Sequence, residues 1–388
     1  MKILLVRSSS GYVDVGNAHY NIQETGLARA FNRKGHQCDV VFWGGKKEEV
    51  IEMEYDEGKT FKVFYLKAYN ILKNGVFKGL KELSNKYDIV HCGGYDQINS
   101  WILAKSIPKK LVVYNGSYYS DFNTGYNKKC KVVDKLFLPR FKKNNIFFDT
   151  KSNLSAEFLK QRGLTNIYPV GVGIDLERLK AKELLESPLS NEVLSLKQDG
   201  KKIIMYVGRI EPRRNTLFLL DTFKEVHAND ENARLLIVGR GEKEYKDKCF
   251  KHAKEIGIKE AIIYKEHIDQ KYLPLVYSLA DVFLLPTIYE IFGMVMLEAM
   301  YFGVPVVTTY NGGSDMLIEN EKSGIIIDNF NADEWKDKIV RLLNDESMKN
   351  TIIENAKTKI ENEFTWDALV DKFIRVYAKR LDFKIDSE

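Results

Sequence analysis

Two doubly wound α/β domains in tandem are the fold class that this sequence predicts. Short apolar runs of strand length alternate with amphipathic stretches of helix length in both halves of the chain. The alternation pauses once, at the glycine-punctuated segment Val170-Gly-Val-Gly-Ile-Asp175, and then restarts on the same plan. The 388 residues, 44% of them hydrophobic, are enough to build two cores rather than one.

The first half opens with a strand over Ile3 to Val6, a loop containing Gly11 and Gly16, and a helix that puts Ile22, Leu27, Ala28, Ala30 and Phe31 on one side. That helix stops at Lys34-Gly35, and a strand over Asp39 to Trp43 follows at once, which makes a βαβ unit of a parallel sheet. Further strands are expected at Ile89-Val90, Leu111 to Tyr114 and Ile146 to Phe148. The second half runs strand 202–207, helix 215–228, strand 234–238, helix 243–256, strand 261–264, helix 270–280, strand 281–285, helix 293–302 and strand 305–308. An amphipathic helix from Thr365 to Arg380 closes the chain and is long enough to return to the first domain. The expected domains are therefore 1–170, joined by the terminal helix over about 365–388, and 171–364. Ligands of such sheets bind at the carboxyl ends of the strands, so a crevice between the two domains is the expected site.

Bulk properties narrow the function classes. No repeat, heptad run or low-complexity tract is present, which leaves ordinary globular domains. The first residues turn polar at Arg7-Ser-Ser-Ser10, too early for a signal peptide or a membrane span, so a cytoplasmic protein is expected. Four dispersed cysteines without a C-x-x-C pair suggest reduced thiols rather than zinc ligands or disulfides. The net charge of +5 divides into +11 over residues 1–170 and −6 beyond, which favours an anionic partner for the first half. Much of the excess lies in Lys128, Lys129, Lys131, Lys135, Arg140, Lys142 and Lys143, interleaved with Val132, Val133, Leu136, Phe137, Leu138 and Phe141. Such a mixture suits an anionic membrane surface, here the inner face of the cell membrane, or a lipid-phosphate substrate. A solvated helix with one buried stripe is the ordinary alternative.

The segment from Leu285 to Val307 carries the chemistry. A buried strand ends at Pro286, a short loop carries Glu290, and a helix begins near Gly293 with its free N–H groups beside that carboxylate. Glu298 lies further along the helix, so one ligand touching both glutamates must be extended. Taken singly, Glu290 reads first as a helix cap and Glu298 as an exposed helical glutamate; set in this strand, loop and helix with a Gly-x-Pro exit, the pair is much more specific.

This segment resembles the E-x7-E signature of family 4 of the retaining glycosyltransferases, which have the GT-B fold, and the resemblance extends along nearly the whole chain. Tyr206-Val-Gly208-Arg209-Ile-Glu-Pro-Arg-Arg214-Asn is similar to the family's G-R-L-x-x-x-K-G stretch, and Ile237-Val-Gly239-Arg-Gly241 to its I-V-G-x-G. Leu279-Ala-Asp281 to Pro286, Asn311-Gly-Gly313, Gly173-Ile-Asp175 and Phe364-Thr-Trp366 match other family segments. The resemblance implies an acceptor-binding first domain, a nucleotide-sugar-binding second domain and transfer from a UDP- or GDP-sugar to a glycan or lipid-linked acceptor, in bacterial cell-surface polysaccharide or glycoconjugate assembly. By the same carry-over, Arg209 and Arg214 clamp the donor diphosphate. Glu290 and the N–H groups of Ile291, Phe292, Gly293 and Met294 hold the donor sugar, Glu298 accepts from the ribose, and Gly208 and Gly239 line the donor loops. Gly16 lets the first loop approach the diphosphate, and Tyr264 and Lys265 stand near the nucleobase. Neither a metal nor another cofactor is expected, because the arginines compensate the charge, and no nucleic-acid partner is expected.

The chain departs from the family pattern at several positions. Arg214-Asn215 stands for Lys-Gly, Asn17 for a second glycine, and Glu266 falls where F-x-G is usual. Asn115 in Tyr114-Asn-Gly-Ser117 stands where members often carry a catalytic histidine; it can hydrogen-bond the donor sugar but cannot exchange a proton near neutral pH. His91 is the next candidate for a polar role in the cleft, against a structural histidine. Two alternatives stay open at this point: a non-catalytic, nucleotide-sugar-binding or membrane-associated partner protein, suggested by Asn115, and a sugar-nucleotide epimerase of related fold.

Overall fold

The computed structural model describes residues 1–16, 22–71 and 74–382, so Asn17 and the end of the expected terminal segment lie outside the described residues. Two compact units result: Met1–Asp175 with Thr365–Glu388, and Leu176–Phe364. The boundary expected after residue 170 thus falls at Asp175. The reason is local. Asp175 forms a buried ion pair with Arg29, and Gly173 faces the Trp366 indole so closely that a Cβ there would stand 2.6 Å from a ring carbon.

Unit one is built on a nine-stranded sheet of β1 (Lys2–Val6), β2 (Gln37–Gly45), β3 (Glu49–Asp56), β4 (Lys59–Ile71), β5 (Asn74–Phe77), β6 (Ile89–Gly93), β7 (Leu111–Asn115), β8 (Phe147–Thr150) and β9 (Ile167–Pro169). The order is β3-β4-β2-β1-β6-β7-β8-β9, with β5 on β4. The central strands are parallel and nearly continuous in apolar residues, as strands covered on both faces must be. Ile3, Leu4 and Leu5 have no exposed surface.

The strands β3 to β5 are not anticipated by the sequence reading. β3 is a charged edge strand whose side chains alternate between exposed and half-buried, and it pairs antiparallel with β4, which itself runs parallel to β2. Ile51, Met53 and Tyr55 in β3 and the buried Phe61, Val63 and Tyr65 in β4 follow the period-2 alternation of strands with one face on the core.

The helix Trp366–Arg380 belongs to unit one, where it packs on the helix Gln23–Arg33. Phe31 stacks on Tyr377 with ring centroids 5.5 Å apart, and Arg33 and Lys34 each lie 2.9 Å from Asp367 and Asp371 respectively. Gly26 makes room for the start of this helix, since a Cβ at that position would stand 2.4 Å from the Trp366 ring nitrogen.

Unit two holds β10 (Lys202–Val207), β11 (Ala233–Val238), β12 (Ile262–Lys265), β13 (Val282–Leu285), β14 (Val306–Thr308) and β15 (Ile325–Ile326), all parallel, in the order β12-β11-β10-β13-β14-β15. Counted from β10, this is the 3-2-1-4-5-6 order of doubly wound nucleotide-binding sheets, with its topological switch between β10 and β13. The loops that leave these two strands carry Gly208–Asn215 and Thr287–Gly293, so topology alone brings the two motifs together. The helices Ala332–Asn344 and Glu346–Glu363, not singled out from sequence, complete the unit.

Candidate functional site

Close backbone packing shapes the site in unit two. Gly208 follows β10 and Gly239 follows β11, and a Cβ on Gly239 would stand 1.8 Å from the Gly208 carbonyl oxygen. One on Gly241 would meet the Ile210 carbonyl at 2.6 Å, where Ile210 and Gly241 form an isolated bridge. Glycine is required at both places by this approach of backbone to backbone. The buried Tyr206 hydroxyl donates to the Arg209 carbonyl at 2.7 Å and pins the start of the loop. A 3-10 turn over Pro212–Arg214 then leads to Asn215, whose φ of 53° and ψ of 46° are left-handed. Asparagine is the residue type that best replaces glycine in that conformation, so the change from Lys-Gly to Arg-Asn preserves the turn.

The turn and the loop after β13 are bound to each other. Ile288 N–H donates to the Arg213 carbonyl at 2.9 Å, and Arg213 Nη1 donates to the Tyr289 carbonyl at 2.7 Å. Arg213 also holds Glu211 through Nε at 3.1 Å and Nη2 at 2.7 Å. Arg214 forms an ion pair with Oε2 of Glu290, and Arg213 Nη1 lies 3.6 Å from the same oxygen. The other oxygen, Oε1, accepts from the Ile291 N–H at 3.0 Å and the Phe292 N–H at 3.4 Å. Glu290 is only 8% exposed. It therefore organises the loop it stands in, and two of the four N–H groups expected to meet a sugar, those of Ile291 and Phe292, are turned onto its own carboxylate.

Gly293, with φ of 76°, turns the chain into the helix Met294–Tyr301. The Asn311-Gly-Gly313 turn lies against this loop: Gly312 N–H donates to the Glu290 carbonyl at 3.0 Å, and a Cβ on Gly313 would stand 1.7 Å from the Phe292 carbonyl.

Glu298 departs from the reading as an ordinary exposed helical glutamate. It is 3% exposed, so it is not a solvated helical glutamate, and its Oε2 accepts from the Tyr277 hydroxyl at 2.9 Å. Burial raises its carboxyl to about 8, which favours the neutral acid at neutral pH. Arg209 has a different setting. Its side chain is 66% exposed, with Nε 3.6 Å from Glu211. Tyr264 donates to the Gly239 carbonyl at 3.2 Å, while Lys265 pairs with Glu192 at 3.1 Å. Arg213, absent from the set expected from sequence, is the structural tie between the two loops. Its place beside Arg214 in a run of two arginines is the only signal that could have singled it out.

Three expectations in unit one are corrected. Asn115 is 1% exposed and its amide is consumed: Nδ2 donates to the Ser117 carbonyl and to Ser155 Oγ, both at 2.9 Å, and Oδ1 accepts from the Tyr95 N–H at 3.2 Å. It is a structural joint at the end of β7 rather than a group facing a sugar. His91 lies in the core with Nδ1 2.5 Å from the Tyr377 hydroxyl, and burial lowers its pKa to about 3. The neutral ring ties the terminal helix to β6 through Nδ1, which is the structural role, and it also lines a small pocket with Gln23, Glu24 and Tyr114. In the basic segment, Arg140 stacks on Trp101 at 3.7 Å and donates to its carbonyl at 3.0 Å, and Lys129 pairs with Asp96, so these two cations are engaged internally. Lys128, Lys131, Lys135, Lys142 and Lys143 remain exposed, beside Val132 at 58% and Leu136 at 57% exposure. The Gly16 N–H donates to Asp14 at 3.0 Å in an exposed turn.

Among the described residues, no group of three or more histidine, cysteine or acidic side chains could hold a metal ion. No described helix is long and apolar enough to cross a membrane.

Known proteins share this arrangement. The family model for glycosyl transferases group 1 matches residues 192–359, a span that contains both arginine and glutamate loops. An uncharacterized glycosyltransferase of Methanocaldococcus jannaschii is 31% identical over 381 residues, covering 91% of this chain and 92% of that protein. The UDP-Gal:alpha-D-GlcNAc-diphosphoundecaprenol alpha-1,3-galactosyltransferase of Escherichia coli is 28% identical over 207 residues, 53% of this chain and 52% of its own length. Among solved structures, Anabaena Alr3699/HepE in complex with UDP superposes with a TM-score of 0.74 at 15% identity, over 98% of this chain and 100% of that one. With two parallel α/β units, the switch-point loops and a relative matched along almost its full length, the chain belongs to the group 1 glycosyl transferases and has the GT-B fold.

Proposed function

We propose that this protein is a retaining glycosyltransferase that moves the sugar of a UDP- or GDP-sugar onto a glycan or lipid-linked acceptor in bacterial cell-surface polysaccharide assembly. The observation that carries the reading is the cluster of Arg209, Arg213 and Arg214 around Glu211 and Glu290 at the switch point of the unit-two sheet. Three guanidinium groups against two carboxylates leave a net positive charge where a diphosphate would lie. The UDP-complexed solved structure and the UDP-Gal-dependent relative support a nucleotide-sugar donor, and that relative's lipid-diphosphate acceptor supports a lipid-linked one.

The chemistry follows from where charge develops. As the bond between the anomeric carbon and the diphosphate oxygen breaks, negative charge grows on the leaving group, and Arg209 and Arg214 stabilise it. The acceptor hydroxyl attacks the anomeric carbon from the same face, and its proton passes to the departing phosphate oxygen. Configuration is retained, no protein nucleophile is consumed, and the arginines supply the charge compensation that a divalent metal supplies elsewhere. Glu290 orients the donor sugar through the loop it braces, and Glu298 faces the ribose. Since Asn115 is a joint within the core, it does not count toward a non-catalytic protein. The exposed lysines of the helix Thr124–Leu136 would hold the enzyme at the inner membrane face.

A panel of UDP- and GDP-sugars tested first for thermal stabilisation, then for hydrolysis or transfer, decides the matter. The α-anomer released from an α-linked donor, observed by proton NMR before mutarotation and with a chelator present, is the expected result. Inversion, or no turnover of any donor that binds, would overturn the reading.

A further inference from the structure

A cavity of about 500 Å³ lies within unit one, lined among others by Trp43, Lys46, Lys67, Tyr69 and Lys78. It belongs to the β3–β5 extension and is separate from every residue assigned above. β2 and β4 run parallel, and Gly45 pairs with Lys67, so the cavity opens at the carboxyl end of β2, the edge at which doubly wound sheets bind ligands. A register irregularity between Trp43 and Gly45 re-aims the strand at this point. β5 returns antiparallel to β4, and the Lys78 N–H donates to the Lys67 carbonyl at 2.8 Å, which brings these two lysines side by side. The Trp43 indole lies between two glycines. A Cβ on Gly75 would stand 2.8 Å from one ring carbon, and one on Gly45 would stand 3.1 Å from another. The extension is anchored to the loop after β1, where the Gly75 N–H donates to the Ser8 carbonyl at 2.8 Å and Ser9 bridges to Asn74.

The lining combines two aromatic rings with three cations. Tyr69 is 70% exposed, so its ring is open to a ligand in the cavity. No carboxylate lines the cavity, and none of the three lysines forms an ion pair among the described residues.

We propose that this cavity binds an anionic saccharide, a sugar bearing a phosphate or carboxylate group, as the acceptor of the transfer reaction. The acceptor role rests on the function proposed above; the binding does not. The apolar face of a pyranose ring stacks on Trp43 or Tyr69, and the lysine ammonium groups take the anion as point charges. A neutral glycan would engage only the rings and leave the three exposed lysines in water, whereas an anionic sugar engages both; an aliphatic chain would be flanked by cations. The volume suits one or two sugar rings.

The test reads Trp43 directly. The chain has four tryptophans, so 5-fluorotryptophan labelling gives four fluorine resonances, and Trp43→Phe assigns the relevant one. The full chain is titrated separately with glucose 1-phosphate, glucuronate, inorganic phosphate and methyl glucoside. The expected result is a saturable shift of the Trp43 resonance with the first two, and binding weaker by about tenfold or more with the last two. Lys46→Gln combined with Lys67→Gln and Lys78→Gln should weaken glucose 1-phosphate by at least about tenfold, with the other three resonances and the melting temperature unchanged. Equal binding of methyl glucoside overturns the anionic assignment, and equal binding of inorganic phosphate overturns the saccharide. No shift of the Trp43 resonance up to about 20 mM of any probe overturns the site itself. Donor hydrolysis without a Trp43 response would sink this proposal and leave the transferase; a Trp43 response without turnover of any donor would leave the saccharide site and overturn the transferase, and with it the acceptor role.

Discussion

Glu298→Gln should make this protein more stable above neutral pH. In the folded chain Glu298 is 3% exposed and burial raises its carboxyl from 4.5 to about 8. Below pH 4.5 the group is protonated whether the chain is folded or not, and it costs nothing. Between 4.5 and about 8 the unfolded chain loses this proton while the folded chain keeps it. Stability therefore falls as pH rises through that window and levels off above the folded pKa. At about 1.4 kcal/mol per pKa unit, the full gap corresponds to at most about 5 kcal/mol. Glutamine has no such proton, and its amide oxygen still accepts from the Tyr277 hydroxyl. The difference in stability between Glu298→Gln and wild type should thus be near zero at about pH 4.5 and grow to several kcal/mol by about pH 8.5. For a domain of this size that is roughly 10 °C in the melting temperature of unit two, measured by calorimetry at a series of pH values. Subtracting wild type from variant cancels the titration of every other group. A difference that stays flat with pH, or a variant less stable at alkaline pH, would show that Glu298 is ionised in the folded protein.

Three more outcomes are expected. Arg209→Ala should lower kcat by about a hundredfold or more with little change in melting temperature, because the side chain is 66% exposed and acts on developing charge; Arg213→Ala should lower both, since it removes the ties to Glu211 and the Tyr289 carbonyl. Wild-type turnover by Arg209→Ala would remove Arg209 from the clamp. Gly239→Ala should cost about 3 kcal/mol or more in chemical denaturation, since its Cβ would meet the Gly208 carbonyl at 1.8 Å and one of the two loops must move. Changing Lys128, Lys131 and Lys135 together to Glu should abolish sedimentation with anionic vesicles at about 0.1 M salt, whereas Arg140→Gln should destabilise the fold instead, because Arg140 is committed to Trp101.

The arginine and glutamate loops show how a site becomes more than its motif. Two segments far apart in the sequence meet because β10 and β13 are neighbours, and Arg213 and Arg214 then compete with any ligand for the carboxylate of Glu290. The loop is held by its own charges. A donor diphosphate that drew Arg214 away from Glu290 would free that carboxylate for the sugar, which couples recognition of the two ends of one donor.

The strand–helix alternation, the central strands of both sheets, the terminal helix and the glycine-rich turns were legible in the chain itself. Continuous apolar runs and left-handed turn positions are local requirements that leave local marks, as at Leu4, Gly208 and Asn215. The β3–β5 extension left a mark that the reading passed over: Ile51, Met53 and Tyr55, then Phe61, Val63 and Tyr65, recur at every second residue, the period of a strand with one wet face. The sequence could not separate Asn115 and His91 from catalytic groups: their chemistry suits a cleft, and only the packing of Ser155 and Tyr95 around Asn115, and of Tyr377 on Nδ1 of His91, gives them structural partners. The state of Glu298 was equally a tertiary matter, since the pKa of a carboxyl depends on the water that packing removes. Residue type determined what each group can do; burial and neighbours, which are properties of the folded chain, decided which of them are left to do it.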